Sequence, residues 1–160
     1  MLVIVCVNNL YKNVTKKFKG RKLNYQSYLD VLKDKEKEGK EEKVIAHAYV
    51  SDLTGSAKFL TCLRRYGYKL HYDETLKKYR WNVGACVEVC KNIDNLNIVV
   101  IGSSSIEFIP LIEWLKRNGV KVIIFACNIS HRLRSIADEC IEITEDMLIE
   151  THSNETIKTN

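Results

Sequence analysis

The sequence has no long apolar run and no basic leader. Its apolar stretches fall well short of the roughly 20 residues that cross a bilayer, so the pattern excludes a membrane-spanning helix. The chain begins Met-Leu-Val-Ile-Val-Cys-Val, which reads as a first strand, because a secretory signal needs a basic start, a longer apolar segment and a cleavage site. We therefore expect an intracellular protein, cytoplasmic or nuclear, with no membrane partner.

Paired cysteines are also missing. The chain has six cysteines, but they stand singly inside apolar stretches and form no Cys-x-x-Cys pair. This spacing is unlike the dense pattern of a disulfide-stapled secreted domain. Reduced thiols, buried as small apolar side chains, are the expected state.

No internal repeat, low-complexity segment or linker divides the chain. A length of 160 residues is enough for one domain with a real core, since a domain of this size buries roughly two-thirds of its unfolded surface. From about residue 147 the composition turns polar and rich in Thr, Asn and Glu. We expect one domain over residues 1–146 and a loosely held polar tail over residues 147–160.

Strand and helix patterns alternate along the chain, which is typical of an α/β protein. Strands are predicted over residues 2–7, 43–50, 68–72, 97–101, 120–126 and 140–143, and the β-branched run in the fourth is typical of a strand covered on both faces. Helical patterns occupy residues 25–43, 56–66, 83–90, 106–118 and 130–137. Asn24 is a predicted N-cap, Gly67 a predicted C′ residue, and the nearly continuous apolar helix 83–90 should be largely buried. The predicted fold has three layers: a mostly parallel central sheet, with strands one and four at its centre, and helices on both faces.

The carboxyl ends of parallel strands meet at one edge, where open α/β sheets bind ligands. Residues 99–111 read as a buried strand, a small-residue loop and a helix start, and the loop serines supply N-cap oxygens beside a potential anion site. Asn9 and Ser104 should approach each other across this edge. The residues predicted to form the cleft are Asn8, Asn9, Asn82, Ser103, Ser104, Ser105 and Glu107.

Positive charge is concentrated in two segments. The formal net charge is only +5, but a loop over residues 12–22 contains many bases and no acid, and a second basic group precedes the helix at residue 83. Such clustering favours a polyanionic partner, whereas a solvated loop that is basic for solubility is the alternative. Arg132 and Arg134 would add cations near the same rim. Trp81 either stacks on bases or fills the core. The predicted binding residues are Lys12, Lys16, Lys17, Lys19, Arg21, Lys22, Lys77, Lys78, Arg80 and Trp81.

Five segments follow one another in a recognisable order. Residues 4–11 (IVCVNNLY) are similar to an apolar strand with Asp-x-x-Asn-Leu-Tyr, and residues 66–68 (YGY) to a Gly-Tyr start of strand three. Residues 81–90 (WNVGACVEVC) look like a helix start with two Asp six residues apart. Residues 99–111 are similar to an apolar strand, Gly-Asp-Ser-Asp-Phe and Pro-Leu, and residues 133–141 to Leu…Ala-Asp-x-Phe-Ile. Together these segments resemble the NYN family of LabA-like, PIN-like ribonucleases.

The resemblance implies a PIN-like fold and a nuclease that cuts RNA with Mg²⁺ or Mn²⁺ held by aspartates. Such hard ions need oxygen ligands, and a pair of them stabilises both the attacking and the leaving oxygen. The acid positions of the family fall here on Cys6, Gly84, Cys90, Ser105 and Glu107, so that only Glu107 keeps a carboxylate, and a one-residue shift of the serine loop leaves none. We therefore expect a catalytically degenerate domain, without a cofactor, that binds RNA or ribonucleoproteins.

Two other functions stay open. A purely structural module would use its basic face to bind an acidic protein or ribosomal RNA. An active endoribonuclease would use Mg²⁺ or Mn²⁺ and would need further acids beside Glu107, taken from Glu88, Asp138 or Asp52.

The thiols offer one further possibility. If they converged on the cleft, four of them would suit a soft Zn²⁺ ion, although separate core thiols are the simpler interpretation. A nucleophilic Cys6 would need a base, and the histidines are dispersed along the sequence. Helix capping is likewise the simpler role for the loop serines. The four thiols are Cys6, Cys86, Cys90 and Cys127.

Overall fold

The computed structural model describes residues 1–37, 43–50, 56–72 and 81–150. The strands are β1 (Leu2–Cys6), β2 (Ile45–Val50), β3 (Tyr68–Tyr72), β4 (Ile98–Gly102), β5 (Lys121–Ala126) and β6 (Glu139–Glu142). The helices are α1 (Val7–Lys17), α2 (Tyr25–Lys37), α3 (Ala57–Arg65), α4 (Trp81–Lys91), α5 (Ile109–Arg117) and α6 (His131–Ile136). Among the described residues, no helix has the length and apolar character needed to cross a membrane.

The six strands form one parallel sheet in the order β3-β2-β1-β4-β5-β6. β1 and β4 are the central pair, with Leu2 opposite Val99 and Val5 opposite Gly102. All residues of β1 are buried, because helices cover both faces of a parallel sheet and favour continuous apolar strands. The predicted α/β class, the three layers and the central pair are confirmed.

Alternate side chains along the strands contact different helix layers. On one face, the Tyr68 hydroxyl donates to a backbone carbonyl of α2 at 2.8 Å, and the ring of Tyr28 in α2 stacks on Phe125. On the other face, Cys6 lies opposite Tyr49 in register, and both contact α4. Right-handed crossovers with this strand order place α2 and α4 on opposite faces.

Local capping sets several helix boundaries. The Asn24 side chain accepts a hydrogen bond from the backbone N–H of Gln26 at 3.0 Å, and the Ser56 hydroxyl accepts one from that of Phe59 at 3.2 Å. Gly67 follows α3 with φ of +95°, a conformation that favours glycine. The predicted cap at Asn24 and the C′ position of Gly67 are confirmed. α2 is described as far as Lys37, and residues 38–42 of its predicted span lie outside the described residues.

The segment after β1 is a helix, and the loop predicted from its charge was wrong. α1 starts at Val7, so strand one ends one residue early and the first half of the basic segment is helical. Val7, Leu10 and Val14 are buried at the spacing i, i+3, i+7. This apolar spacing indicates a helix, although lysines and asparagines surround it in the sequence.

α4 is less buried than its composition predicts. Ala85 and Val89 are fully buried, but Val83 is 62% and Val87 45% exposed. One side of α4 contacts β1 and β2, and the opposite side carries these valines outward. The prediction of a largely buried helix was therefore wrong, because apolar composition does not report how many neighbours a helix has.

The predicted polar tail begins inside the packed domain. Met147 and Leu148 are buried, and the Met147 carbonyl accepts a hydrogen bond from the Asn24 N–H at 2.8 Å. Leu148 forms an antiparallel bridge with Leu23. The packing therefore continues past residue 146 to Leu148, and residues 151–160 lie outside the described part of the chain.

β4 ends in glycine because Tyr28 occupies the space that a side chain would need. A Cβ added to Gly102 would lie 2.7 Å from the Tyr28 hydroxyl oxygen and 3.2 Å from both the Ile4 carbonyl oxygen and the Val5 Cα. Tyr28 is fully buried, and its hydroxyl donates to the Phe125 carbonyl at 2.8 Å. This contact holds α2 across the centre of the sheet.

We expect Gly102→Ala to lower the free energy of unfolding by about 1–3 kcal/mol, the usual cost of overpacking a core. Gly84→Ala is the matched control, since its added Cβ meets only the Tyr49 ring at 3.6 Å. Helix propensity should make that variant more stable by up to about 1 kcal/mol. Urea unfolding measures both changes, and equal effects would contradict the packing argument.

Candidate functional site

The carboxyl ends of β1 and β4 meet at a polar cluster. Asn9 lies in the first turn of α1, and its Oδ1 accepts hydrogen bonds from the Ser104 backbone N–H at 3.0 Å and from the Ser104 hydroxyl at 3.2 Å. Asn13 donates to Ser104 Oγ at 3.2 Å and to the Asn9 carbonyl at 2.9 Å. The predicted approach of Asn9 and Ser104 is confirmed. Asn13 was missed, although its i+4 spacing from Asn9 places both on one helix side.

The serine loop is held by its own hydroxyls. Ser103 is buried, and its Oγ accepts a hydrogen bond from the Ser105 N–H at 3.2 Å. Ser105 Oγ accepts one from the Glu107 N–H at 3.4 Å. These bonds satisfy backbone donors where the strand gives way to a helix, which is the capping role expected for the serines.

Glu107 stands at the mouth of the cleft, between the serine loop and α4. Its carboxylate accepts hydrogen bonds from the Ser105 hydroxyl and from the side-chain amide of Asn82. The fold thus brings together the predicted cleft residues Asn82 and Glu107, and Asn8 is half-buried in the first turn of α1. Within the described ranges, no group of three or more His, Cys, Asp or Glu side chains is placed to hold a metal ion.

A buried thiol ends the central strand β1. Cys6 Sγ lies 3.9 Å from Asn82 Oδ1. Burial raises the pKa of the Cys6 thiol to about 12, and a hydrogen bond from Ser103 offsets only part of this effect. The thiol therefore stays protonated at neutral pH, which makes it a poor nucleophile and a poor ligand for hard cations.

The four thiols considered for zinc do not converge. Cys6 and Cys86 are neighbours on the α4 side of the cleft, and Cys90 lies one turn farther along α4. Cys127 directly follows β5, near Glu142, and burial raises its pKa to about 11. Because β4 separates β1 from β5 in the sheet, the structure contradicts a four-cysteine site.

The acids considered as substitute metal ligands lie elsewhere. Asp138 accepts a hydrogen bond from the Val122 N–H at 2.8 Å, near the amino end of β5, and this bond and the Lys116 ammonium keep its pKa below the ordinary value. Glu88 belongs to α4, and its carboxylate lies 3.8 Å from His47 Nδ1 of β2. Neither joins Glu107 at the cleft mouth. Asp52 lies outside the described residues.

The exposed side of α1 carries cations from the cleft outward. Lys12 and Lys16 are exposed on the helix, and Lys19 follows its end. These three form no ion pair with an acid of the described residues. Asn9, Asn13 and Lys16 lie on one side of α1, since their spacing is i, i+4, i+7. The polar cluster thus continues into a cationic strip, defined by Lys12, Lys16 and Lys19.

Several other predicted cations form structural ion pairs. Lys17 Nζ lies 3.1 Å from Glu142, which also pairs with Arg134, and Arg21 lies 3.1 Å from Glu145. These pairs connect α1 and the following turn to the β6 side of the sheet. Lys22 is exposed. The predicted residues outside the described part of the structure are Lys77, Lys78, Arg80 and the side chain of Trp81.

A histidine pair, which the sequence analysis missed, lies between α4 and the sheet. His71 Nε2 and His47 Nδ1 are 3.0 Å apart, and Tyr49 stacks on the His71 ring. Of the four histidines of the sequence, His47 and His71 are thus brought together by the β2–β3 register. Burial lowers the pKa of both rings below the ordinary 6.5, and the Glu88 carboxylate offsets only part of this effect.

We expect the free energy of unfolding to fall when the pH drops below 6.5. Because their pKa values are lowered, His47 and His71 bind fewer protons in the folded than in the unfolded chain. The folded state is therefore not penalised above pH 6.5, and acidification below that pH favours the unfolded chain. His71→Gln should flatten the pH dependence between about pH 5 and 7. The control His131→Gln, at the exposed start of α6, should not. Denaturant unfolding at successive pH values measures the slope, and an unchanged slope in His71→Gln would contradict this assignment.

Comparison with known proteins identifies a family and a fold. The family model described as "NYN domain" matches residues 2–146. The crystal structure of VPA0982, a protein of unknown function from Vibrio parahaemolyticus RIMD 2210633, is similar with a TM-score of 0.78 and 20% sequence identity. The similarity covers 92% of this chain and 94% of that chain, and at this identity it shows a shared fold. No curated protein matches the chain.

Proposed function

Because the chain belongs to the NYN domain family, we propose that it binds RNA without cleaving it. The observation that carries the proposal is the composition of the carboxyl edge. There an amide–hydroxyl cluster of Asn9 and Ser104 leads into the cationic strip, and the carboxylate beside it is that of Glu107. This arrangement offers groups that attract phosphate but little that would hold a catalytic cation.

The donor set does not fit a pair of hard divalent ions. Mg²⁺ and Mn²⁺ prefer several oxygen ligands, with carboxylates to balance their charge. The family resemblance places its other acids on Cys6, Gly84, Cys90 and Ser105, none of which is a carboxylate. One exposed Glu107, already accepting two hydrogen bonds, supplies too little charge for two-metal phosphodiester cleavage.

The cationic strip supports phosphate as the recognised group. Lys12, Lys16 and Lys19 are exposed and form no ion pair with acids of the described residues, in contrast to Lys17, which is held by Glu142. Mobile ammonium groups bind successive phosphates and release counterions, which is the sequence-independent part of RNA affinity. Uncharged amides beside them position the backbone without adding repulsion.

We expect labelled single-stranded RNA to stay intact when it is incubated with the protein and Mg²⁺ or Mn²⁺. Gel electrophoresis reports the length of the RNA, and a filter-retention assay on the same samples reports binding. The control is Glu107→Gln, which separates intrinsic cleavage from contamination. Cleavage by the wild type that this substitution abolishes would overturn the proposal in favour of an active endoribonuclease.

We expect loss of the cationic strip to weaken RNA binding and to flatten its salt dependence. Each lost phosphate contact should reduce the slope of log K against log salt by about 0.7, so three should reduce it by about 2. Fluorescence anisotropy at several salt concentrations measures both quantities. The test variant replaces Lys12, Lys16 and Lys19 by Gln, and the charge-matched control on α3 replaces Lys58, Arg64 and Arg65 by Gln.

Only the strip variant should lose affinity. Equal losses in both variants would indicate a nonspecific effect of net charge. If the wild-type protein binds no RNA at low salt, the RNA proposal fails, and a protein-binding role for the basic face is favoured instead.

A further inference from the structure

A groove of about 700 Å³ runs along the outer side of α4 to Glu107, in the turn before α5. Val83, Cys86, Val87 and Cys90 line it, at the spacing i, i+3, i+4, i+7. That spacing is typical of the apolar seam between two packed helices. The exposed valines of α4 thus form a continuous stripe rather than isolated surface residues.

The two ends of this groove carry opposite charges. Glu107 lies at the amino end of α4, where it accepts a hydrogen bond from Asn82, and Lys91 is the last residue of α4. Neither charge forms an ion pair with the described residues. Along the helix axis, Asn82 and Lys91 are about 13 Å apart. The groove is therefore an apolar stripe with an acid at one end and a base at the other.

We propose that this groove binds a second copy of the chain, with the two α4 helices antiparallel about a two-fold axis near Val87. In such a contact both copies use the same surface, and the amino end of each α4 lies beside the carboxyl end of the other. Lys91 of each copy then lies beside Glu107 of the other, and Val83 packs near Cys90. A parallel pairing would instead bring like charges together.

The dimer surface and the cationic strip share no residue. The groove is lined by α4 and Glu107, whereas Lys12, Lys16 and Lys19 lie on α1 and directly after it; Glu107 borders both the groove and the cleft. Self-association therefore does not depend on the proposed RNA binding, and its test needs no RNA. A single helix pair lies at the small end of specific interfaces, so the dimer should dissociate on dilution, with a Kd on the order of 1–100 μM.

Sedimentation velocity of the full chain under reducing conditions, over a concentration series that spans this range, tests the proposal. Val87→Lys places two ammonium groups near the axis and should weaken association at least about tenfold. Ile149→Lys, at an equally accessible apolar residue outside the groove, is the control and should associate like the wild type. Circular dichroism checks that both variants are folded.

Charge reversal tests the antiparallel arrangement itself. Lys91→Glu and Glu107→Lys should each weaken the dimer, because each places like charges at both ends of the seam. The double variant should regain most of the lost dimer affinity, because residues 91 and 107 of opposite copies again carry opposite charges. A protein that stays monomeric throughout, a dimer unaffected by Val87→Lys, or a double variant no tighter than the singles would overturn the proposal.

Discussion

The parallel pairing of β1 with β4 sets the geometry of the whole carboxyl edge. With Val5 opposite Gly102, the chain leaves both strands at the same level, and Asn9 meets Ser104. Because Gly102 has no side chain, this register leaves space for the hydroxyl group of the buried Tyr28. A slip of one residue would turn every side chain of one strand to the opposite face. The polar cluster therefore depends on a backbone pairing rather than on its own hydrogen bonds.

The sequence predicts the positions of the strands better than it predicts features that depend on tertiary contacts between elements. β3 lies at the predicted residues 68–72, directly after Gly67, and the approach of Asn9 to Ser104 follows from topology alone. α1 was missed because its buried positions are scattered among polar residues. The pairing of His47 with His71 depends on the β2–β3 register and on side-chain directions, which no pattern within one strand reports. The outward side of α4 likewise depends on what packs against it.

Under the proposed function, the domain keeps the architecture of the family without carboxylates that would hold metal ions. A carboxylate at position 6 would be buried beneath α4 and would need a cation to offset its desolvation. The protonated Cys6 thiol fits the same site at little electrostatic cost. Apart from Glu107, the polar groups of the cleft, above all Asn9 and Asn13, are neutral and hydrogen-bonded. Under the proposed function, such a surface binds the phosphate backbone of RNA without polarising its phosphodiester bonds.

NMR titration of the isotope-labelled protein with a short single-stranded RNA in the presence of Mg²⁺ is the direct test of RNA binding without cleavage. It reports where the RNA binds and whether it stays whole. We expect saturable shifts of the backbone amides of Asn9, Asn13, Lys16 and Ser104, with the RNA intact at the end of the titration. Shifts confined to other surfaces, or RNA cut during the titration, would contradict it.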